Sequence, residues 1–201
     1  AMLCVDQDRV ARIMTLESSG TTGPAKRIFF SDHDLEQTLD FFHHGMACLA
    51  GPGNKVLILL PGTTPDSTGD LLARALGRLG AKGHVHGLAT DIAAALQAAH
   101  ELRADCLVGF PVQMLAMARL DTQEKTPAER LRPRSVLFCS DYAPKAAARV
   151  LEDIWGCEVF THWGASETGL GGGVECAAHQ GCHLRHDLII EIIDPDRLTP
   201  L

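Results

Sequence analysis

The chain has 201 residues, 46% hydrophobic and 21% charged, with 18 Lys+Arg against 25 Asp+Glu and a formal net charge of −7. So much apolar content excludes disordered, coiled-coil and collagen-like chains, and the acidic balance argues against a nucleic-acid partner, which wants a basic face. No apolar run approaches the roughly 20 residues that span a bilayer, so no membrane partner is expected.

The opening residues lack the basic-then-apolar pattern of a secretory signal, and seven cysteines without a regular framework fit a reducing, cytoplasmic setting. Ala1 ahead of Met2 reads as a residue left by tag removal and is set aside. Arg12–Leu16 and Arg27–Phe30 read as strands on either side of a loop, and Ser31 can cap a helix from Asp34 to Leu49. His43 and His44 on that helix point to different faces, one buried and one solvated. Val56–Leu60 is wholly apolar between Gly53-Asn54 and Pro61-Gly62, the pattern of a strand buried on both faces. Asp66–Leu79 carries Leu71, Leu72, Ala75, Leu76 and Leu79 at helical spacing, with Gly80 placed to close the helix.

His84–His86 is a weaker strand, and Asp91 is a fitting N-cap for the Ala-rich helix that runs to Leu102. Asp105–Gly109 is a strand and Pro111–Leu120 a helix with proline in its first turn. Asp121–Pro133 is polar and reads as a loop; Ser135–Cys139 is a strand, Pro144–Trp155 a helix and Glu158–Thr161 a strand. Leu188–Ile193 reads as one more strand. Apolar strands alternating with amphipathic helices imply an α/β fold, a parallel sheet of about five strands with helices on both faces, plus a flanking β-region. Ligands then belong at the carboxyl ends of the strands. Three parts are expected: 1–54, a loop segment and first helix; 55–162, the parallel α/β core; and 163–201, a further loop, a Cys/His cluster and the start of a β subdomain.

The loop Ser18-Ser19-Gly20-Thr21-Thr22-Gly23-Pro24-Ala25-Lys26 carries the strongest chemical signal. Its glycines let the main chain approach an anion closely. Its hydroxyls add donors, successive amides in such a turn form an anion-binding concavity, and a lysine closes the segment. Two glycines four apart before Lys-Ser/Thr would mark a helical P-loop, and that pattern is absent. A plain flexible turn uses the same residue types.

This segment resembles the Ser/Thr/Gly-rich phosphate loop of the ANL superfamily of adenylate-forming enzymes, which includes acyl- and aryl-CoA synthetases. The resemblance implies contacts from Ser19, Gly20, Thr21, Thr22, Gly23 and Lys26 to the β- and γ-phosphates of ATP. One departure stands out: the family has proline immediately before the lysine, and here the order is Pro24-Ala25-Lys26. Thr161-His162-Trp163-Gly164-Ala165-Ser166-Glu167-Thr168-Gly169 resembles the aromatic-Gly-x-Ser/Thr-Glu element of the same superfamily. By that likeness Trp163 and Gly164 border the adenine, Ser166 contacts the α-phosphate, and Glu167 holds Mg²⁺, a hard ion suited to a carboxylate plus phosphate oxygens. Glu167 and Lys26 are accordingly the implied catalytic pair. Ser140, Asp141 and Tyr142 occupy the place of the family's adenine-binding turn, whose two glycines are missing here; an ordinary strand-to-helix turn is the competing reading.

Further on, Gly171-Gly172-Gly173-Val174-Glu175-Cys176, then Gly181-x-His183 and Glu191-Ile192-Ile193-Asp194-Pro195, look like the phenylacetate–CoA ligase branch. The resemblance implies an AMP-forming acid–thiol ligase that uses ATP, Mg²⁺, a small carboxylic acid and coenzyme A. The family's ribose-binding Thr-Gly-Asp segment, its C-terminal domain with a catalytic lysine, and about a hundred upstream residues have no counterpart in these residues. The chain therefore reads as a central piece, inactive by itself. Leu3, Val5, Leu198 and the unpaired Leu188–Ile193 strand would leave apolar surface, which points to a homo-oligomer.

Cys176, His179, Cys182 and His183 form a tight cluster of soft ligands that could hold Zn²⁺ with help from Cys157 or His162, although structural zinc sites usually draw on two separated pairs. Buried or reactive thiols are the alternative. No Gly-x-Ser-x-Gly or comparable nucleophile turn supports a hydrolase. Pro61–Pro65 and Phe110–Val112 follow strands at the ligand edge and read as loop packing with acyl contacts as the alternative. Two other functional classes stay open. A non-catalytic nucleotide-binding module would bind ATP without pyrophosphate exchange. A zinc-dependent structural or interaction domain would carry metal when purified.

Overall fold

The structure is a computed structural model and describes residues 6–16, 26–165 and 168–200. Strands β1 (Arg12–Leu16) and β2 (Lys26–Phe30) pair antiparallel, with Arg12 opposite Phe30 and Leu16 opposite Lys26. Helix α1 (Asp32–Met46) starts two residues earlier than its periodicity predicts, because Ser31 and Asp34 form a reciprocal capping box. The Ser31 hydroxyl accepts from the Asp34 amide, and the Asp34 carboxylate accepts from the Ser31 amide at 2.8 Å.

The main sheet contains β3 (Lys55–Ile58), β4 (Lys82–Val85), β5 (Cys106–Gly109), β6 (Ser135–Phe138) and β7 (Glu158–Trp163). These five strands are parallel, in the order β4-β3-β5-β6-β7. The antiparallel strands β8 (Gly173–Glu175) and β9 (Cys182–Leu184) extend the sheet beyond β7. The expected α/β class and five parallel strands are therefore present, within a mixed seven-stranded sheet.

Apolar runs without alternating polar positions make this sheet two-sided. Val56, Ile58 and Leu60 pack with Cys106, Val108, Leu137 and Phe160 on one face, beneath α1 and α2 (Thr68–Arg78). Leu57, Leu59, Leu107, Val136, Phe138 and Val159 face the other way, onto α3 (Ile92–Leu102), α4 (Pro111–Glu124) and α5 (Lys145–Trp155). After β4 the chain reverses direction across the sheet, and right-handed crossovers then require the later helices to lie opposite α2. The reversal falls between β3 and β5, where a crevice opens at the carboxyl ends of the strands.

Asp91 caps α3 as its sequence predicts, accepting from the Ala94 amide at 3.0 Å. Two readings are corrected. The polar stretch from Asp121 does not begin a loop: α4 continues to Glu124, and Asp121 is fully buried. Its carboxylate accepts from the Leu131 amide at 2.9 Å and the Trp155 indole at 3.0 Å, and it lies 2.8 Å from His100 Nε2. Leu188–Ile193 is not a strand either; among the described residues no strand lies beside it, and Ile193 makes only an isolated bridge to Pro200. Ile189 and Ile192 are correspondingly exposed. Among the described residues, no helix is long and apolar enough to cross a membrane.

Candidate functional site

The crevice is a cavity of about 720 Å³ at the carboxyl edge of β3, β5, β6 and β7, within the range of pockets that hold cofactor-sized ligands. Leu60, Pro61 and Phe110 come from the ends of β3 and β5, so Pro61 and Phe110 border the cavity as well as packing their loops. Ser140, Asp141 and Tyr142 follow β6, and His162, Trp163 and Gly164 end β7. The structure thus brings together all five described members of the predicted adenine-edge set: Ser140, Asp141, Tyr142, Trp163 and Gly164. Ser19, Gly20, Thr21, Thr22, Gly23, Ser166 and Glu167 lie outside the described residues. Lys26 is described by its backbone alone, as the first residue of β2.

The turn after β6 keeps a glycine-like shape without glycine. Ser140 sits at φ 67°, in the left-handed region, a conformation that costs a non-glycine residue about 1 kcal/mol or more. The Asp141 carboxylate accepts from the Tyr142 amide at 2.7 Å, fixing the next step of the turn. Tyr142 is 81% exposed and Trp163 48% exposed, so both rings offer free surface at the rim of the cavity.

The glycine run acts through close approach. A Cβ on Gly172 would lie 2.2 Å from the Trp163 ring, and one on Gly171 would lie 2.4 Å from the Phe41 ring. The Trp163 ring therefore rests directly on the Gly172 backbone. Behind this wall Arg185 is buried and pairs with Asp187, at 2.7 and 2.6 Å. Its remaining nitrogen donates to the Thr168 and Gly169 carbonyls at 3.1 and 3.4 Å. The segment after Ser166–Glu167 is thereby tied to the end of β9.

His162 is the residue that motif reading undervalued. Among the described residues its buried Nε2 has no hydrogen-bond partner, and burial pushes its pKa down to about 4. The ring is neutral at physiological pH and borders both the main cavity and a smaller apolar one beside α1. The available signal was its place, one residue before the aromatic member of the motif at a strand's carboxyl end.

The proposed zinc ligands do not gather. Both ring nitrogens of His179 are engaged, Nε2 with Glu158 at 3.0 Å and Nδ1 with Glu175 at 3.3 Å, and these carboxylates raise its pKa. Cys182 borders the large cavity, and among the described residues no three ligating side chains come together around Cys176, His179, Cys182 and His183. The buried thiols of Cys106, Cys139 and Cys157 are pushed up to about 12 by desolvation, which leaves them protonated and unreactive.

Solved structures with this architecture include three CoA ligases. A 2-hydroxyisobutyryl-CoA ligase in complex with 2-HIB-AMP and CoA matches with a TM-score of 0.81 at 15% identity, over 98% of this chain and 43% of that one. An anthranilate CoA ligase in complex with anthranoyl-AMP matches with a TM-score of 0.72 at 17% identity, over 94% and 37%. A long-chain-fatty-acid-CoA ligase from Archaeoglobus fulgidus matches with a TM-score of 0.76 at 10% identity, over 96% and 39%. The fold is that of the CoA ligases. The chain spans less than half the length of each of these structures. No family model and no curated protein matches the sequence. The acids named for the three ligases differ widely.

Proposed function

We propose that this chain is the nucleotide- and acid-binding core of an AMP-forming acid–thiol ligase of the phenylacetate–CoA ligase-like branch. The observation that carries the reading is the cavity at the carboxyl edge, where Tyr142 and Trp163 flank a strained turn on a CoA-ligase fold. In the proposed reaction a carboxylate oxygen attacks the α-phosphorus of ATP. The bond to the β-phosphate breaks, pyrophosphate leaves, and acyl-AMP remains. The thiolate of coenzyme A then attacks the acyl carbon, AMP departs and the thioester forms.

This chain's own residues position the reactants. The half-exposed Trp163 face and the Ser140–Tyr142 turn offer a stacking and hydrogen-bonding edge for a purine. The Ser19–Gly23 loop supplies amides and hydroxyls for the phosphates. The donors at hand, the Glu167 carboxylate and neighbouring hydroxyls, suit Mg²⁺, which when bound offsets charge on the phosphate oxygens.

Pyrophosphate exchange in the full-length protein tests the reading. Glu167→Gln should keep ATP affinity within a few-fold while lowering acid-dependent exchange by about 100-fold or more, the scale of losing one charge-stabilising group. Lys26→Ala should be milder, because the shifted proline alters the reach of that lysine. Wild-type exchange in Glu167→Gln would refute its role, and ATP binding with no exchange for any acid would make the chain a non-catalytic nucleotide-binding module.

A further inference from the structure

We infer that Arg185 is a positioning residue for the nucleotide cavity: its guanidinium holds the strap 168–170 and thereby fixes the part of the cavity wall formed by Ala165 and Leu170. The inference rests on the ligase reading above and deepens it by naming the side chain that orders the ATP site.

Arg185 directly follows β9 and is 8% exposed. Every nitrogen of its fork is engaged within the chain. Nε and Nη2 donate to the two Asp187 carboxylate oxygens, and Nη1 donates to the Thr168 and Gly169 carbonyls. The guanidinium carbon stands 5.9 Å from the centre of the Phe41 ring on α1, a cation–π contact. Its charge is met by Asp187 and its donors by the backbone, so this arginine is built to shape the site and not to bind phosphate. Only a planar fork serves a carboxylate on one edge and carbonyls on the other; a lysine ammonium is a point charge at the end of a flexible stem.

The strap needs such a hold. Gly169 and Leu170 are both left-handed, at φ 67° and 74°, and a residue with a side chain stays in that region only where its surroundings over-determine it. Arg185 grips the strap from one side, and from α1 the Thr38 hydroxyl donates to the Gly169 carbonyl at 3.3 Å. A Cβ on Gly169 would lie 3.4 Å from Arg185 Nη1, so the backbone and the guanidinium are in close contact. One further step leads to the cavity. The Thr168 amide donates to the Ala165 carbonyl at 3.0 Å, and the Ala165 amide donates to the Thr168 hydroxyl at 3.0 Å. Ala165 and Leu170 both border the large cavity, together with Trp163 and Gly164. A displaced Thr168 carbonyl is therefore passed to the wall through the Ala165 hydrogen bonds on one side and the Leu170 backbone on the other.

ATP affinity of the full-length protein, measured by calorimetry at a temperature where circular dichroism shows each variant folded, tests the inference. Arg185→Lys keeps a cation for Asp187 but not the fork, and should weaken ATP binding about tenfold, within what a misplacement of roughly 1 Å produces. Thr168→Val removes the hydroxyl that Ala165 uses while leaving Arg185 and both carbonyls in place, and should weaken binding to a similar extent. Both changes interrupt one path, so the double variant should be little worse than either single one. A side chain that served stability alone would lower the unfolding midpoint and leave the affinity of the folded protein unchanged. Should Arg185→Lys fail to fold, Thr168→Val decides the matter by itself. Wild-type affinity in either folded variant, or losses that add in full, would overturn the inference and leave the ligase reading intact. A wild-type protein that binds no ATP would overturn the ligase reading, and the inference with it.

Discussion

His162 concentrates what a single residue can tell. It stands one step before Trp163 at the end of β7, and burial holds its pKa near 4 against an ordinary 6.5. As pH falls through 6.5 the unfolded chain takes up a proton that the folded chain refuses until about pH 4. The folded state therefore loses stability progressively across that window and is unaffected by this group above it. The span corresponds to about 3 kcal/mol at the acid end. Urea midpoints measured from pH 7 to pH 4 should show this acid limb, and His162→Leu should remove most of it; an unchanged limb in the variant would show that other groups produce it. At this scale the sequence was legible by motif and opaque by environment. Ser140, Asp141, Tyr142 and Trp163 could be placed at the ligand edge from their positions after strands. The left-handed Ser140 and the ring contacts that require Gly171 and Gly172 depend on neighbours distant in sequence.

Secondary-structure elements were readable wherever apolar pattern and cap chemistry agreed. Ser31 and Asp91 cap as expected, and the apolar strands lie within a residue or two of their predicted bounds. The failures share one cause: polarity and periodicity do not reveal partners. Asp121 looks like the start of a solvated loop, yet it is the buried acceptor that joins α3, α4, α5 and the Leu131 backbone. Leu188–Ile193 looks like a strand, yet among the described residues only Ile193 finds a partner, an isolated bridge to Pro200. Asp121→Ala should accordingly cost about 3 kcal/mol or more, since it strands the Trp155 indole, the Leu131 amide and the His100 ring without their acceptor. Asp121→Asn should recover part of the loss by keeping one acceptor oxygen. Chemical denaturation decides it, and a loss below about 0.5 kcal/mol, the scale of ordinary surface substitutions, would show that the Asp121 carboxylate does not hold these helices together.

Across the molecule, the ligand cavity depends on how the antiparallel hairpin β8–β9 is held to the parallel sheet. The pairing of β7 with β8 rests on two registered positions, His162 opposite Val174 and Trp163 opposite Gly173. Glu175 adds a second link, its carboxylate accepting from the Thr161 amide and hydroxyl at 2.9 and 3.0 Å. His179 adds a third by bridging Glu158 on β7 and Glu175 on β8. Trp163 lies against Gly172, just before β8, and Cys182 of β9 borders the cavity, so any loosening of the hairpin is felt at the proposed adenine edge. The Glu158 hydrogen bond, reinforced by Glu175, raises the His179 pKa above 6.5. The pin is therefore fully charged below pH 6.5 and is lost as pH rises through the raised value. Indole emission should follow that loss, because Trp163 is half exposed while Trp155 is buried against Asp121 and supplies a constant background. We expect a shift in Trp163 emission above pH 6.5 that is absent from His179→Gln, together with weaker ATP binding at the alkaline end in the wild type alone. A pH-independent spectrum, or an identical transition in His179→Gln, would detach the hairpin pin from the nucleotide edge.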